Sequence, residues 1–125
     1  MDSEQIATKY LRYFETKQET DFWAIDEVDT LVLRDPERGW EITRTLVNRA
    51  LTEEALAYVA AGPLEDLLNH HGAAVMVQIE QECLTNDHLR LALSGVWIEG
   101  ENPVWQRWYA LMWKYGFAEG RRQPL

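Results

Sequence analysis

Ala61-Gly62-Pro63-Leu64-Glu65-Asp66-Leu67-Leu68-Asn69-His70-His71-Gly72 is the stretch on which the fold turns. Glycine at a junction is followed by proline, which is tolerated at a first helical position because its missing N–H has no intrahelical partner there. Glu65 and Asp66 then fall in the first turn, where negative charge complements the helix dipole. Leu64, Leu67 and Leu68 share one face. His70 and His71 read as last-turn residues and Gly72 as the glycine just past a helix end. The expectation is a short helix opened by Pro63 and closed at Gly72.

The same punctuation recurs on both sides. Asp35-Pro36 reads as an N-cap followed by proline at the first helical position, and Asn102-Pro103 repeats it after the loop Gly100-Glu101. Thr52-Glu53-Glu54 and Asn86-Asp87 are caps backed by acids. Between these points the apolar residues keep helical spacing: Ile25, Val28 and Val32; Trp40, Thr43, Val47 and Ala50, with Ile42 and Leu46 beside them; Leu56, Val59 and Ala60; Val75, Ile79 and Cys83; Leu89, Ala92, Leu93, Val96 and Trp97; Trp105, Trp108, Tyr109 and Met112. No segment alternates as a strand between hairpin turns. The reading is one all-α domain over residues 1–125, with about eight short helices in an irregular bundle or a short, solenoid-like stack of helix hairpins and a frayed tail over 120–125.

Composition bounds the function. The 125 residues are 46% hydrophobic and 26% charged, which suits a globular core. With 21 acidic against 12 basic residues the net charge is −9, which repels phosphate backbones and disfavours nucleic acid as a partner. Apolar runs fall far short of the ~20 residues of a membrane helix, and the acidic start does not look like a signal peptide, so no membrane role and a cytoplasmic location are expected. The single cysteine, Cys83, reads as a small buried hydrophobe.

The charge is uneven. Nine acids lie between Glu15 and Glu41 (Glu15, Glu19, Asp21, Asp26, Glu27, Asp29, Asp35, Glu37, Glu41) against Lys17, Arg34 and Arg38. From Asn102 onward Arg107, Lys114, Arg121 and Arg122 outnumber Glu119. Six tryptophans (Trp23, Trp40, Trp97, Trp105, Trp108 and Trp113) crowd the chain, and the last helix is aromatic nearly all round. Large rings fill gaps between short helices, but one stripe cannot hold every ring of that helix. Trp105 and Trp108, with Arg107 and Lys114 interleaved, therefore also read as partner-binding residues or a homodimer face.

Catalytic constellations are scarce. Neither a serine elbow nor a phosphate-binding glycine loop occurs. Asp66 and His70 stand at i, i+4, the spacing at which a carboxylate and an imidazole can share a metal, with His88 or Glu80 as a third ligand. Helix punctuation explains the same residues. The chain is thus expected to be non-enzymatic, without catalytic residues, cofactor or metal. The leading reading is a domain that holds a basic protein partner through Asp21, Asp26, Glu27 and Asp29, with toxin neutralisation as its concrete form. The rivals are a small-ligand or metal site at Glu65, Asp66, His70 and His71, and a homodimer through the aromatic helix.

Tyr58-Val59-Ala60-Ala61-Gly62-Pro63-Leu64-Glu65-Asp66-Leu67-Leu68, then His71-Gly72, Ile79-Glu80, Leu89-Arg90-Leu91-Ala92-Leu93 and Val96-Trp97 resemble a bacterial family catalogued as domain of unknown function 6869. Asp21-Phe22-Trp23-Ala24 and Arg34-Asp35-Pro36-Glu37-Arg38-Gly39-Trp40 are similar to its N-terminal half. The resemblance covers about residues 5 to 110. It departs at Asn86-Asp87, where members often show Asp-Pro. It implies a small helical protein, and it marks Gly62, Pro63, Glu65, Asp66, His71 and Gly72 as motif positions without supplying an activity, substrate or cofactor.

Overall fold

Helix signals in the sequence become helices wherever a cap and an apolar stripe coincide. The computed structural model describes residues 2–117 and, among them, is all-α with no strand. Helix α1 (Ser3–Thr16) opens on a capping box in which the Asp2 carboxylate accepts from the Gln5 N–H at 2.8 Å. A single 3₁₀ turn (Glu19–Asp21) leads into α2 (Trp23–Arg34). Asp35 caps α3 (Pro36–Arg49) and Thr52 caps α4 (Glu53–Val59), each side chain accepting a backbone N–H three residues on. After α5 (Glu65–Cys83), Asn86 caps α6 (Asp87–Leu93), and α7 (Trp105–Lys114) is the last described helix. The expected frayed tail over 120–125 lies outside the described residues.

Helix α3 is the hub. It packs against α1, α2, α4, α5 and α6, so the chain is an irregular bundle rather than a stack in which each hairpin touches only its neighbours. Ile42, Leu46 and Val47 of α3 meet Ile6 and Ala7 of α1, Val28 and Val32 of α2, and Leu64, Leu67, Leu68 and Met76 of the following rod in one contiguous core. Full burial of each such aliphatic side chain stabilises by roughly 1.5–3 kcal/mol. Cys83 belongs to the same core, and burial pushes its thiol up to about 11, leaving it protonated.

The Gly62-Pro63 stretch corrects the expectation of a helix start. From Glu53 to Cys83 the chain is helical without a break, and residues Ala60–Leu64 form a π turn that carries Pro63 inside it. Proline can neither donate to the carbonyl four residues back nor sit beside it without a clash. The wider turn removes both problems, and the Glu65 N–H reaches back five residues to the Ala60 carbonyl. The missing donor that suggested a first helical position is equally at home in this bulge. Fewer and longer helical rods result than the eight expected.

Gly72 is likewise not a helix end. The rod bends at His71 (φ −137°, ψ 24°) and continues. The His71 ring bonds the Leu33 carbonyl at 2.7 Å, tying the bend to the end of α2. A Cβ on Gly72 would lie 2.6 Å from Cγ1 of Val104, so this glycine admits the loop that precedes α7.

That loop also departs from the helical expectation at Trp97. Residues 96–99 form an irregular segment next to α5 with Val96 and Ile98 buried, whereas Trp97 is 46% exposed. The side chains of Glu65 and Asn69, one turn apart on α5, hold this segment by its backbone. The Trp97 N–H donates to Glu65 Oε1 at 2.6 Å, the Trp97 carbonyl accepts from Asn69 Nδ2 at 2.9 Å, and the Glu99 N–H donates to Asn69 Oδ1 at 3.3 Å. Without those partners an irregular segment packed against a helix would leave its polar groups unmet.

Candidate functional site

Five carboxylates of the fold are paired with arginines. Arg12 binds Asp21 with two bonds of 2.7 Å, Arg44 pairs with Glu82, Arg49 with Glu4, Arg90 with Asp87, and Arg107 grips Glu80 through both carboxylate oxygens. On the outer side of α2 the situation is different. Asp26, Glu27 and Asp29 are exposed, and Asp66 of α5 stands close enough to Asp29 to act on its charge. Among the described residues, Asp26, Glu27, Asp29 and Asp66 form no ion pair. Exposed Phe22 and Leu33 fall on the same outer stripe of α2, at i−4 from Asp26 and i+4 from Asp29. The result is an acidic surface with an apolar residue at each end.

The free protein bears a cost for this arrangement. Partial burial, then Asp66, then Asp26 raise the Asp29 carboxyl above its ordinary value, because each disfavours the ionised form. Behind Asp29 sit two tyrosines whose hydroxyls are hydrogen-bonded to each other, Tyr10 of α1 and Tyr58 of α4. Burial and then the neighbouring Tyr58 and Asp29 push the Tyr10 phenol well above its ordinary value, so it stays a neutral donor. Burial first, with Tyr13 and Asp29 adding to it, raises Tyr58 as well. Gly62 faces this pair: a Cβ there would lie 3.5 Å from the Tyr10 hydroxyl, an ordinary contact. Neither tyrosine carries a signal in the sequence beyond Tyr58 opening the Gly-Pro stretch.

A protein-family model matches residues 13–115, and its description reads family of unknown function. The chain belongs to that family, DUF6869. No curated protein and no solved structure matches it.

The DUF6869 stretch divides by role once its side chains are placed. Glu65 holds the backbone at Trp97, Pro63 is buried in the π turn, His71 is bonded to Leu33, and Gly72 makes room for Val104. Asp66 alone faces the acidic surface. His70 is exposed, His88 bonds the Ala50 carbonyl at 3.0 Å, and Glu80 is held by Arg107. Glu65, Asp66, His70 and His71 are therefore not drawn together, and among the described residues no three His, Cys, Asp or Glu side chains gather as a metal site.

Two expected partner-binding residues are corrected. Asp21 is 1% exposed, and the hydrogen bond from Arg12 holds its carboxyl below the usual range against the opposing effect of burial. It closes the 3₁₀ turn onto α1 and offers no surface. Trp108 is 1% exposed, with its indole N–H donating to the Leu93 carbonyl at 2.9 Å. It is a core residue that locks α7 to α6. Trp105 is half-buried and stacks on Tyr109, ring centroids 4.7 Å apart.

Proposed function

We propose that this chain is a non-enzymatic interaction domain that binds a basic protein segment, with Asp26, Glu27, Asp29 and Asp66 as its acidic contact surface. Neutralising a toxin that carries such a basic surface is its concrete form. One observation carries the reading: Asp26 and Asp29 of α2 and Asp66 of α5 converge closely enough to repel one another and, among the described residues, have no base between them, whereas Glu4, Asp21, Glu80, Glu82 and Asp87 are each paired with an arginine. A cationic partner relieves the repulsion around Asp29, and Phe22 and Leu33 give it apolar contact at the edges.

The test is fluorescence anisotropy of a labelled lysine- and arginine-rich peptide against the full chain. The expected result is binding that weakens as salt rises. Asp26→Asn, Asp29→Asn and Asp66→Asn combined should lower affinity about tenfold, the sum of three exposed ion pairs at ~0.5 kcal/mol each. A charge-matched control, Glu53→Gln with Glu54→Gln and Glu101→Gln, removes three exposed acids elsewhere and should leave affinity within about twofold. Equal losses in the two variants would reduce the effect to net charge and overturn the reading, as would binding indifferent to salt.

A further inference from the structure

Next to the acidic surface, three aromatic rings from two helices surround one ammonium group. Lys17 Nζ lies 5.3 Å from the ring centroid of Tyr13, 5.3 Å from Phe14 and 5.5 Å from Tyr58. Tyr13 and Phe14 come from the last turns of α1, and Tyr58 comes from α4. Phe14 and Tyr58 touch at 4.8 Å, and Tyr13 is braced edge-on against Phe22 at 5.3 Å. The three walls are thus fixed by packing of their own, independent of the lysine.

The occupant is less firmly fixed than the walls. Lys17 is exposed, and among the described residues its ammonium forms no ion pair. Its backbone is left-handed, φ 57°, in the position that ends α1, and its N–H bonds the Tyr13 carbonyl at 2.8 Å. Any residue that tolerates this conformation can end the helix, and asparagine does so better than lysine. The helix end therefore does not require an ammonium. Aromatic faces attract cations through their quadrupoles, and a cage of several rings is the arrangement that recognises ammonium groups from another molecule.

We propose that Tyr13, Phe14 and Tyr58 form a cation-binding cage for an ammonium side chain of the partner, in which Lys17 is a resident stand-in that the incoming group displaces. The proposal rests on the basic-partner reading and adds a specific receptor to it. Tyr58 links the two surfaces, since it is a wall of the cage and also feels the charge of Asp29. A lysine entering the cage brings the rest of a basic segment over Asp26, Asp29 and Asp66.

The experiment is a titration of the full chain with tetramethylammonium chloride, followed by the aromatic ¹H–¹³C NMR shifts of Tyr13, Phe14 and Tyr58. Sodium chloride at matched concentration and the neutral analogue 3,3-dimethylbutan-1-ol serve as controls. Lys17→Asn empties the cage while keeping a residue suited to the left-handed helix end. It should bind tetramethylammonium about two- to fivefold more tightly than the natural chain, the competition lost with one exposed cation–π contact. Phe14→Leu in the Lys17→Asn background should abolish the saturable shifts of the remaining rings. If that variant fails to fold, the cation-versus-alcohol comparison in Lys17→Asn alone decides. Equal response to the neutral alcohol, or equal affinity with and without Lys17, overturns the cage. If the rings ignore the cation while the basic peptide still binds through the aspartates, the cage falls and the broader reading stands. Cation binding without any peptide binding removes the partner reading and leaves no partner ammonium for the cage to serve, which overturns the proposal as stated.

Discussion

Gly39→Ala should destabilise the protein even though alanine is the better helix former. Gly39 lies in α3 with helical backbone angles, so on helix propensity alone the change would stabilise by ~1 kcal/mol. The packing opposes it. An added Cβ would lie 2.9 Å from the Cα of Val32 and 3.1 Å from the carbonyl oxygen of Leu31, both backbone atoms of α2. Backbone in the middle of a packed helix cannot swing aside as a side-chain tip can, so the upper part of the usual overpacking cost, ~3 kcal/mol, applies. The net is a loss of ~2 kcal/mol. For a chain of this length that corresponds to a fall in Tm of roughly 6–12 °C. Gly62→Ala is the internal control: its new methyl meets only the Tyr10 hydroxyl at 3.5 Å, so propensity should prevail. That variant is expected to melt at or up to ~5 °C above the natural chain. Both are read by thermal denaturation followed by far-UV circular dichroism. Gly39→Ala melting at or above the natural chain would refute the argument, for it would mean that the α2–α3 crossing has slack that the contact distances deny.

Asp29→Asn should raise Tm at pH 7 and leave it unchanged at pH 3. The sign follows from the raised carboxyl: between its unfolded value of 3.8 and its higher folded value the native state holds more protons than the unfolded one, so stability falls as pH rises through that window. At pH 7 the whole penalty is present and the amide removes it, whereas at pH 3 the carboxyl is already protonated in both states. A stabilising effect of equal size at both pH values would contradict the charge argument. Trp108→Phe should cost ~1 kcal/mol beyond any lost contact area, because the indole bond to the Leu93 carbonyl is lost while that carbonyl keeps the Val96 N–H. Trp113→Phe, at a position 60% exposed, should change stability by no more than ~0.5 kcal/mol, and paired urea titrations compare the two directly.

Much of the architecture was legible because it depends on neighbours in sequence. A cap such as Asp35, Thr52 or Asn86 acts on an N–H three residues away, and the apolar stripes of α2 to α6 need only helical spacing. The fate of charged and aromatic residues was not legible, because it depends on atoms distant along the chain. Asp21 and Asp26 look alike in sequence, yet the first faces the guanidinium of Arg12 on another helix and is buried. Trp105 and Trp108 share a helix, and among the described residues only the second finds a carbonyl, that of Leu93, for its indole. Glycine and proline misled for a related reason. Both relax a backbone constraint, and the sequence does not say whether that freedom ends a helix, widens one turn or lets another segment approach.

The π turn links the fold to the proposed surface through helical phase. In an unbroken α-helix successive residues advance by about 100°, so Tyr58 and Asp66, eight positions apart, would diverge by about 80°. The turn over Ala60–Leu64 takes one extra residue per bond, which makes the separation equivalent to seven positions and brings the two to within about 20° of one face. Both residues do act on the same group, since Tyr58 feels Asp29 and Asp29 feels Asp66. Glu65, one position earlier, is turned away by a further 100° or so, toward the backbone of Trp97 that it holds. Adjacent carboxylates thus serve the fold and the surface separately, and a proline buried in the middle of the rod is what sets their phase. A chain with alanine at position 63 and no residue removed could close an ordinary α-helix, but the full eight-position separation would then turn Asp66 about 100° away from Asp29. The wide turn is therefore more than a tolerated irregularity: it is the element by which α5 contributes a carboxylate to the acidic face of α2.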